Sequence, residues 1–487
     1  MIENQIKNPS IKVNALLNIA RTLMTVVFPL VTFPYSSRIL LPEGIGRVRF
    51  ARSFVDFFIL LATLGIYVYG TREIAKVKDD KVQLSKVTTE ILTINLVSTT
   101  IAYFLFFIAI FTIPKLSDYR LLLIVISTKI LFTALGLDWL YSGIEDYKYI
   151  TLRAFIFQII SVVLLFTFVH TKEDYLKYAS IAVFSNVGSN ICNWIHSKKF
   201  INISFRSDLE LKKHLKPIFI LFAMAVTSNL YSIIDVTMLG FMCNDWQVGI
   251  YTTATKINSL ITSLVVSGGI VVLPRLSYYV KNQAEDKFQE LAYKNYDILF
   301  LFAIPSTIGL CLVGKAAVLA FSGENFIASI PIMRMMNLMI IIVGISCVTG
   351  TQTLIPLGKE ILVFYAMLTG ALTDIILNFA LIPHFQAYGA AVATVISESI
   401  LSIFELACIR KKLSLKKIGR FFTSYLFNSA VMALFVILCL LLIPGLWLSS
   451  IIAICVGIVV YGALLVLEKN HFVMDMFKLI KKKVWTH

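Results

Sequence analysis

The chain has 487 residues, of which 58% are hydrophobic and 15% charged, and its formal net charge is +16. No class of soluble globular protein has this composition, which is typical of a polytopic membrane protein. The basic excess therefore predicts cytoplasmic loops rich in Lys and Arg. For a membrane protein this interpretation is simpler than a surface that binds nucleic acid.

Apolar segments of about 20 residues recur along the whole sequence. The first begins at Val13 and is too long for the apolar part of a signal peptide, so it predicts a retained helix. The pattern predicts an all-α integral membrane protein with about 14 transmembrane helices. In chain order the predicted helices 1 to 14 span residues 13–40, 48–70, 88–113, 119–142, 149–170, 175–197, 217–241, 247–273, 295–314, 328–356, 360–382, 387–409, 421–443 and 446–467.

The distribution of Lys and Arg supports this topology. With the N-terminus inside, thirty of the 44 basic residues fall in inner loops and tails and eight within the helices. The other six lie in outer loops or, for Arg120 and Lys177, at the outer ends of predicted helices. Cytoplasmic loops carry such an excess in membrane proteins. The sequence therefore predicts a multi-pass membrane protein with both termini in the cytoplasm.

The two halves of the sequence repeat weakly. Three pairs of residues share an offset of 203 positions, namely Gly46 and Gly249, Ala51 and Ala254, and Arg72 and Arg275. A parallel repeat predicts two six-helix lobes in the same orientation with a cleft between them, plus two C-terminal helices. The predicted domains are an N-lobe over 1–197, a cytoplasmic linker over 198–216, a C-lobe over 217–409, and helices 13 and 14 with a basic tail over 410–487.

Eight basic residues lie within the predicted helices, namely Arg21, Arg38, Arg49, Arg52, Lys129, Arg153, Lys256 and Arg334. Each would cost about 2.5–3.5 kcal/mol at the centre of a bilayer, so most must face a polar interior. A cationic lumen predicts an anionic cargo. The candidate binding residues are Arg21, Arg49, Arg52, Lys129, Arg153 and Lys256.

On predicted helix 2, the spacing of Arg49, Arg52 and Asp56 places all three on one helix face. An Arg52–Asp56 ion pair with a purely structural role is one interpretation of that spacing. The surplus charge of Arg49 favours the other interpretation, a binding surface for an anion, because Arg binds phosphate oxygens bidentately.

The predicted C-lobe holds a different set of polar residues, namely Asp235, Asp374, Asn378, Thr394 and Glu398. The last four form two pairs with a spacing of four residues. Oxygen ligands on facing helices suit a hard cation, or a proton relay if the carboxylates titrate. Ion pairing of these acids with Lys256 and Arg334 is the alternative.

Motifs of other function classes are absent from the sequence. It contains no Walker A, GxSxG or HExxH motif, and its seven cysteines are scattered without a CxxC spacing. We therefore expect a transporter and not an enzyme, without an organic cofactor or a bound metal. An ion gradient of Na⁺ or H⁺, or the gradient of the cargo, would supply the energy.

One segment is more specific than the rest. Residues 138–153, DWLYSGIEDYKYITLR, resemble the end of helix 4 and the start of helix 5 in bacterial polysaccharide-unit flippases of the Wzx type. The early run with Asn14, Pro29, Pro34 and Arg38 is similar to the opening helices of that family. The family belongs to the superfamily of MATE antiporters and the lipid II flippase. It often has Gln where this chain has Ser142.

The resemblance implies a V-shaped transporter that works by alternating access. Its cargo would be an undecaprenyl-pyrophosphate-linked oligosaccharide. The cargo would move from the cytoplasmic to the outer face of the bacterial plasma membrane for O-antigen, capsule or exopolysaccharide synthesis. The matching cationic positions are Arg21, Arg49, Arg52, Arg153 and Lys256. The resemblance also implies a sodium site like that of the lipid II flippase, at the similar positions Asp235, Asp374, Asn378 and Thr394. The implied partners are the lipid-linked glycan, the bilayer and the O-antigen or capsule polymerase, with no nucleic acid.

Two other functions remain as alternatives. A cation-coupled multidrug antiporter would require an acidic lumen, whereas basic residues outnumber acids within the predicted helices. A membrane O-antigen polymerase typically has a large catalytic outer loop, and no predicted outer loop is of that kind.

Overall fold

A computed structural model describes residues 11–204, 209–267 and 272–470, with side chains from residue 27 onward except 228–232. All regular structure in these ranges is helical. The α-helices of the first half are α1 (Ile11–Thr63), α2 (Ile66–Val77), α3 (Lys81–Thr112), α4 (Arg120–Leu135), α5 (Asp138–Gly143), α6 (Tyr147–Phe168), α7 (Tyr175–Ser197), α8 (Lys212–Met242) and α9 (Asp245–Ser267).

The second half continues with α10 (Leu273–Lys281), α11 (Glu285–Ser322), α12 (Ser329–Met336), α13 (Leu338–Ser346), a π-helix (Cys347–Leu354), α14 (Glu360–Ile409), α15 (Leu415–Leu442) and α16 (Leu446–Leu467). Short 3₁₀ helices lie at Pro114–Tyr119, Lys172–Asp174 and Glu324–Phe326.

Two of the longest helices contain a break where the sequence predicted a boundary between two spans. In α1 the break is at Leu41, which has a φ of 60° and precedes Pro42. In α14 it is at Gln386, with a φ of 51°, three residues after Pro383. A proline lacks the backbone N–H that continues a helix, and a positive φ interrupts the helical path, so each long helix consists of two segments.

Within the described residues, nine helical stretches are long and apolar enough to cross a membrane, and two of them contain these breaks. The predicted integral membrane fold is therefore present. The predicted number of fourteen crossings stays a prediction.

The chain divides into two compact units, Met1–Gly249 and Ile250–His487. Helix α8 thereby belongs to the first unit, although the predicted C-lobe began at residue 217. The predicted lobes, with boundaries at residues 197, 216 and 409, stay a prediction.

The predicted linker packs against the first unit through a buried polar network. His214 is 2% exposed and its two ring nitrogens lie 2.8 Å from Glu90 Oε2 and 2.7 Å from the Tyr69 hydroxyl. Lys213 Nζ lies 3.0 Å from the same Glu90 oxygen. Because Glu90 is completely buried, these partners satisfy a charge that would otherwise be costly inside the protein.

Each unit has its own apolar core. In the first unit it includes Trp139 and Tyr141 of α5, with side chains from α2 and α3 around them. In the second unit α11 packs against α15 and α16 through residues such as Phe300 and Tyr461.

Candidate functional site

Three charged side chains of the first unit meet at Asp56. Arg52 Nε lies 3.8 Å from Asp56 Oδ2 on the same helix, and Lys129 Nζ lies 3.7 Å from Asp56 Oδ1 across from α4. Both distances exceed the roughly 2.9 Å of a strong charge-assisted hydrogen bond. Asp56 thus lies between two cations without binding either one tightly.

The exposure of these side chains distinguishes their roles. Lys129 is 13% exposed, whereas Arg52 is 53% exposed and can reach a ligand. Arg49 is half-buried one turn before Arg52, and both arginines are close enough to repel the Lys129 ammonium. Arg52 and Lys129 therefore share the single carboxylate of Asp56, and this excess of positive charge suits an anion. We call Arg49, Arg52, Asp56 and Lys129 the Asp56 cluster.

Arg153 lies elsewhere in the first unit and is occupied by protein groups. It is 7% exposed, its Nη2 is 3.2 Å from Asp138 Oδ1, and its Nη1 donates to the Ser189 carbonyl at 3.1 Å. The structure does not bring it to the Asp56 cluster. These contacts indicate that Arg153 connects α6 to α5 and α7.

Other residues of the 138–153 segment also bind neighbouring helices through their side chains. Asn193 Nδ2 donates to Asp138 Oδ1 at 2.8 Å, and the Tyr141 hydroxyl donates to the Asn193 carbonyl at 2.8 Å. The Ser142 hydroxyl lies 3.0 Å from that of Tyr67. The segment thus has a structural role in connecting α5, α6 and α7.

The other predicted cations have different positions. The side chain of Arg21 lies outside the described residues. Lys256 is half-buried on α9 in the second unit, so its predicted role as a binding residue stays a prediction. Arg334 is exposed on α12, where its Nε donates to the Cys311 carbonyl at 3.1 Å.

The predicted cation-coupling residues fall into both units. Asp235 is 5% exposed and lies in the first unit, whereas the other four lie on α14 in the second. Asp374 and Asn378 are completely buried, and the Asn378 amide donates to Asp374 Oδ2 at 3.1 Å. Glu398 is half-buried.

A hydroxyl pair accompanies these residues in the second unit. Thr394 is 4% exposed, and its hydroxyl lies 3.2 Å from that of Tyr251. Among the described residues no group of three His, Cys, Asp or Glu side chains is arranged for a metal. The donors here are one carboxylate together with amide and hydroxyl oxygens, a chemistry that fits a hard monovalent cation better than a transition metal.

The sequence analysis missed Glu405. This residue of α14 is 1% exposed, and in the described part of the chain neither of its carboxylate oxygens makes a hydrogen bond. It lies directly against the π-helix, where a Cβ on Gly350 would contact Glu405 Oε1. An acid inside predicted helix 12 was itself a signal, because intramembrane carboxylates are rare and mostly functional.

Two models of known protein families match this chain. Residues 11–280, more than half of the chain, match the model of the family described as polysaccharide biosynthesis protein. The chain belongs to this family. Residues 155–462 also match the model of the lipid II flippase MurJ. The resemblance to Wzx-type flippases and their superfamily is thereby confirmed.

Individual relatives agree with the family assignment. The chain is 24% identical over 393 residues to a putative O-antigen transporter of Shigella dysenteriae, covering 79% of this chain and 96% of the relative. It is 25% identical over 380 residues to the capsular polysaccharide biosynthesis protein CapF of Staphylococcus aureus, covering 74% and 90%.

Solved structures show the same fold. A structure of the lipid II flippase MurJ in an inward closed conformation matches with a TM-score of 0.79 and 18% identity, over 95% of this chain and all of that one. An inward-facing MATE multidrug transporter matches with a TM-score of 0.61 and 14% identity, over 84% and 98%. At these identities the likeness establishes the fold alone, and the predicted fold class is confirmed.

Proposed function

We propose that this chain is a transporter that moves an undecaprenyl-pyrophosphate-linked oligosaccharide from the cytoplasmic to the outer face of the plasma membrane. The family assignment and the names of the O-antigen and capsule relatives support a glycan precursor as cargo. The supply of O-antigen, capsule or exopolysaccharide units is the corresponding cellular role. Both termini lie in the cytoplasm, in agreement with the distribution of basic residues between loops.

The Asp56 cluster is the observation that carries this proposal. The pyrophosphate is the charged part of the cargo, and a guanidinium fork binds its oxygens bidentately. Arg52 is exposed enough to make that contact, while Lys129 and Arg49 add positive charge beside it. Arg21 and Lys256 remain the further candidate binding residues that the sequence suggested. Arg153 is left out of the binding group because its partners are Asp138 and Ser189.

The polarity of this cluster also separates the proposal from its main alternative. A cationic drug would meet the two positive charges of Arg52 and Lys129 beside the single carboxylate of Asp56, an arrangement that repels it. Transport of a glycan precursor by alternating access requires no covalent chemistry. We therefore propose transport without catalysis, with the O-antigen or capsule polymerase as the partner that receives the product.

For energy coupling we propose that Na⁺ or H⁺ binds near Asp374 on α14. The buried carboxylate and the adjacent Asn378 amide supply oxygen ligands for a hard cation, and Thr394 on the same helix is a further candidate ligand. Asp235 and Glu398 are the further candidate ligands that the sequence suggested.

Transport in vesicles tests the proposal. The purified chain is reconstituted with an undecaprenyl-pyrophosphate-linked glycan whose sugar is radiolabelled, and a membrane-impermeant glycosidase reports the fraction that has crossed. We expect faster crossing than in protein-free vesicles, and acceleration by a sodium or proton gradient. Asp374→Asn should keep the folded protein but lose that acceleration. Crossing at the protein-free rate would contradict the proposed function, and unchanged acceleration in the variant would exclude Asp374 as the coupling residue.

A further inference from the structure

The second unit contains a cavity that the proposed transport path does not use. It has a volume of about 390 Å³ and is lined by residues of α11, α12, α15 and α16. Leu312, Leu440 and Leu446 supply apolar walls, and Lys315 and Arg334 add two basic groups. A cavity of this size accommodates a small polar headgroup with the beginning of its apolar chains.

The two basic side chains line the same cavity. Arg334 crosses α11, where its Nε donates to the Cys311 carbonyl at 3.1 Å. A Cβ on Gly314 would lie 3.9 Å from that Nε, so Arg334 runs close beside the residue that precedes Lys315. No ion pair found in the described ranges includes either cation. Two positive charges in one cavity whose lining includes no carboxylate favour the binding of an anion.

A buried hydroxyl gives independent evidence for a ligand. Ser450 lines the cavity and is only 4% exposed. Its Oγ is buried and makes no hydrogen bond to any described residue, whereas the neighbouring Ser449 hydroxyl donates to the Leu446 carbonyl at 3.2 Å. A buried hydroxyl without a partner is unfavourable, and a phosphate oxygen would accept its hydrogen bond.

The surroundings of the cavity indicate that the anion belongs to a lipid. Leu441 and Leu442 at the end of α15 are 77% and 70% exposed, and Trp447 and Leu448 at the start of α16 are 53% and 56% exposed. Both helices are apolar enough to span a membrane. Exposed Leu and Trp side chains at such helix ends contact acyl chains and the interface.

We infer that this cavity binds the phosphate headgroup of an anionic membrane lipid, with Lys315 and Arg334 on the phosphate, Ser450 as a hydrogen-bond donor and the leucines against the acyl chains. Basic pockets between transmembrane helices bind such headgroups elsewhere. The predicted topology places this end of α11 at the outer face, so the lipid comes from the outer leaflet. The inference is independent of the proposed glycan transport.

Lipid binding to the purified full-length chain tests this inference. Native mass spectrometry compares phosphatidylglycerol with phosphatidylcholine of the same acyl chains. The double variant K315Q/R334Q should lose about 30-fold in affinity for phosphatidylglycerol, as expected for two cations near a membrane surface. Lys315→Gln alone, at an exposed position, should lose about fivefold. Thermal unfolding shows that each variant is folded.

A matched control removes the same charge elsewhere. The variant R120Q/K172Q changes two exposed cations of the first unit and should bind phosphatidylglycerol like the wild type. Wild-type affinity in K315Q/R334Q, or an equal loss in the control, would overturn the inference. Displacement of the lipid by millimolar inorganic phosphate would identify a site for soluble anions and would also overturn it.

Discussion

Asp56 is surrounded by basic side chains that come from two helices. Pairing with Arg52 was one of two interpretations of their spacing in the sequence, and the structure also places Lys129 from α4 beside Asp56. The long distances on both sides show that the carboxylate does not fully neutralise its neighbours. Arg52 has two possible roles, namely a structural ion pair with Asp56 or binding of the anionic cargo.

Two substitutions separate these roles. Arg52→Ala removes the exposed guanidinium and should lower polymer export by about 10- to 100-fold, the equivalent of one charge-assisted contact. Asp56→Asn removes the pairing partner but keeps both cations, so we expect export to be retained. The measurement is surface polymer in cells with equal amounts of membrane-inserted protein.

The control for this pair is Lys76→Ala. Lys76 is an exposed cation of the first unit that pairs with Glu73 at 2.8 Å, and its loss should leave export unchanged. If Asp56→Asn were as defective as Arg52→Ala, the pair would be structural and the binding role of Arg52 would be wrong.

Asp174, at the start of α7, makes a pH-dependent contribution to the stability of the folded protein. Its carboxylate accepts hydrogen bonds from Lys177 and from the backbone N–H groups of His170 and Thr171, which together lower its pKa. A lowered pKa means that the stabilisation is present above the ordinary pKa of about 4 and is lost as the pH falls towards the lower folded-state value.

The expected consequence is a difference in acid sensitivity. Asp174→Asn should lower the unfolding temperature at pH 7 and flatten its decrease below about pH 4 relative to the wild type. Glu173→Gln is the control, because that side chain is 69% exposed and its contact with Lys172 is 3.9 Å long. Identical pH profiles for the wild type and Asp174→Asn would disprove the role assigned to these hydrogen bonds.

At the scale of helices, Gly46 of α1 lies directly against the first turn of α9 within the first unit. A Cβ at this position would overlap the backbone carbonyl of Asp245, and a Cβ on Gly249 would overlap that of Pro42. These are two glycines related by the sequence repeat. The repeat therefore marks a close helix contact, which explains why both positions lack a side chain.

Gly46→Ala should destabilise the protein by about 1–3 kcal/mol or more, because backbone atoms would have to move. Gly309→Ala in α11 is the matched control, since its added Cβ meets no atom within 4 Å and alanine favours a helix. The measurement is the fluorescence-detected unfolding temperature of both variants. A Gly46→Ala protein as stable as the control would show that the helices separate easily.

Helix breaks and local pairs could be predicted because their causes are near in sequence. Pro42 and Pro383 mark the interruptions of α1 and α14, and the four-residue spacing identifies the Arg52–Asp56 pair. Contacts that join distant segments could not be predicted in this way. The pairing of Arg153 with Ser189 depends on how α6 and α7 pack, and no local pattern specifies that packing.

For the whole molecule, composition and the distribution of basic residues were sufficient to predict that this is a polytopic membrane protein. They cannot specify which intramembrane cation faces a ligand, since Arg52 and Arg153 look alike in sequence but differ in exposure, 53% against 7%. The buried Glu405 shows the same limit for acids. Exposure and partners depend on the tertiary structure, and they determine the proposed cargo-binding group.

Complementation of a bacterial strain that lacks its own O-antigen or capsule flippase tests the central claim most directly. The chain is expressed in that strain, membrane insertion is verified, and surface polymer is quantified beside a vector control. A transporter of lipid-linked oligosaccharides should restore the polymer in the strain whose repeat unit it accepts, and Arg52→Ala should fail to do so. Absence of polymer across strains with different repeat units, despite normal insertion, would contradict the account.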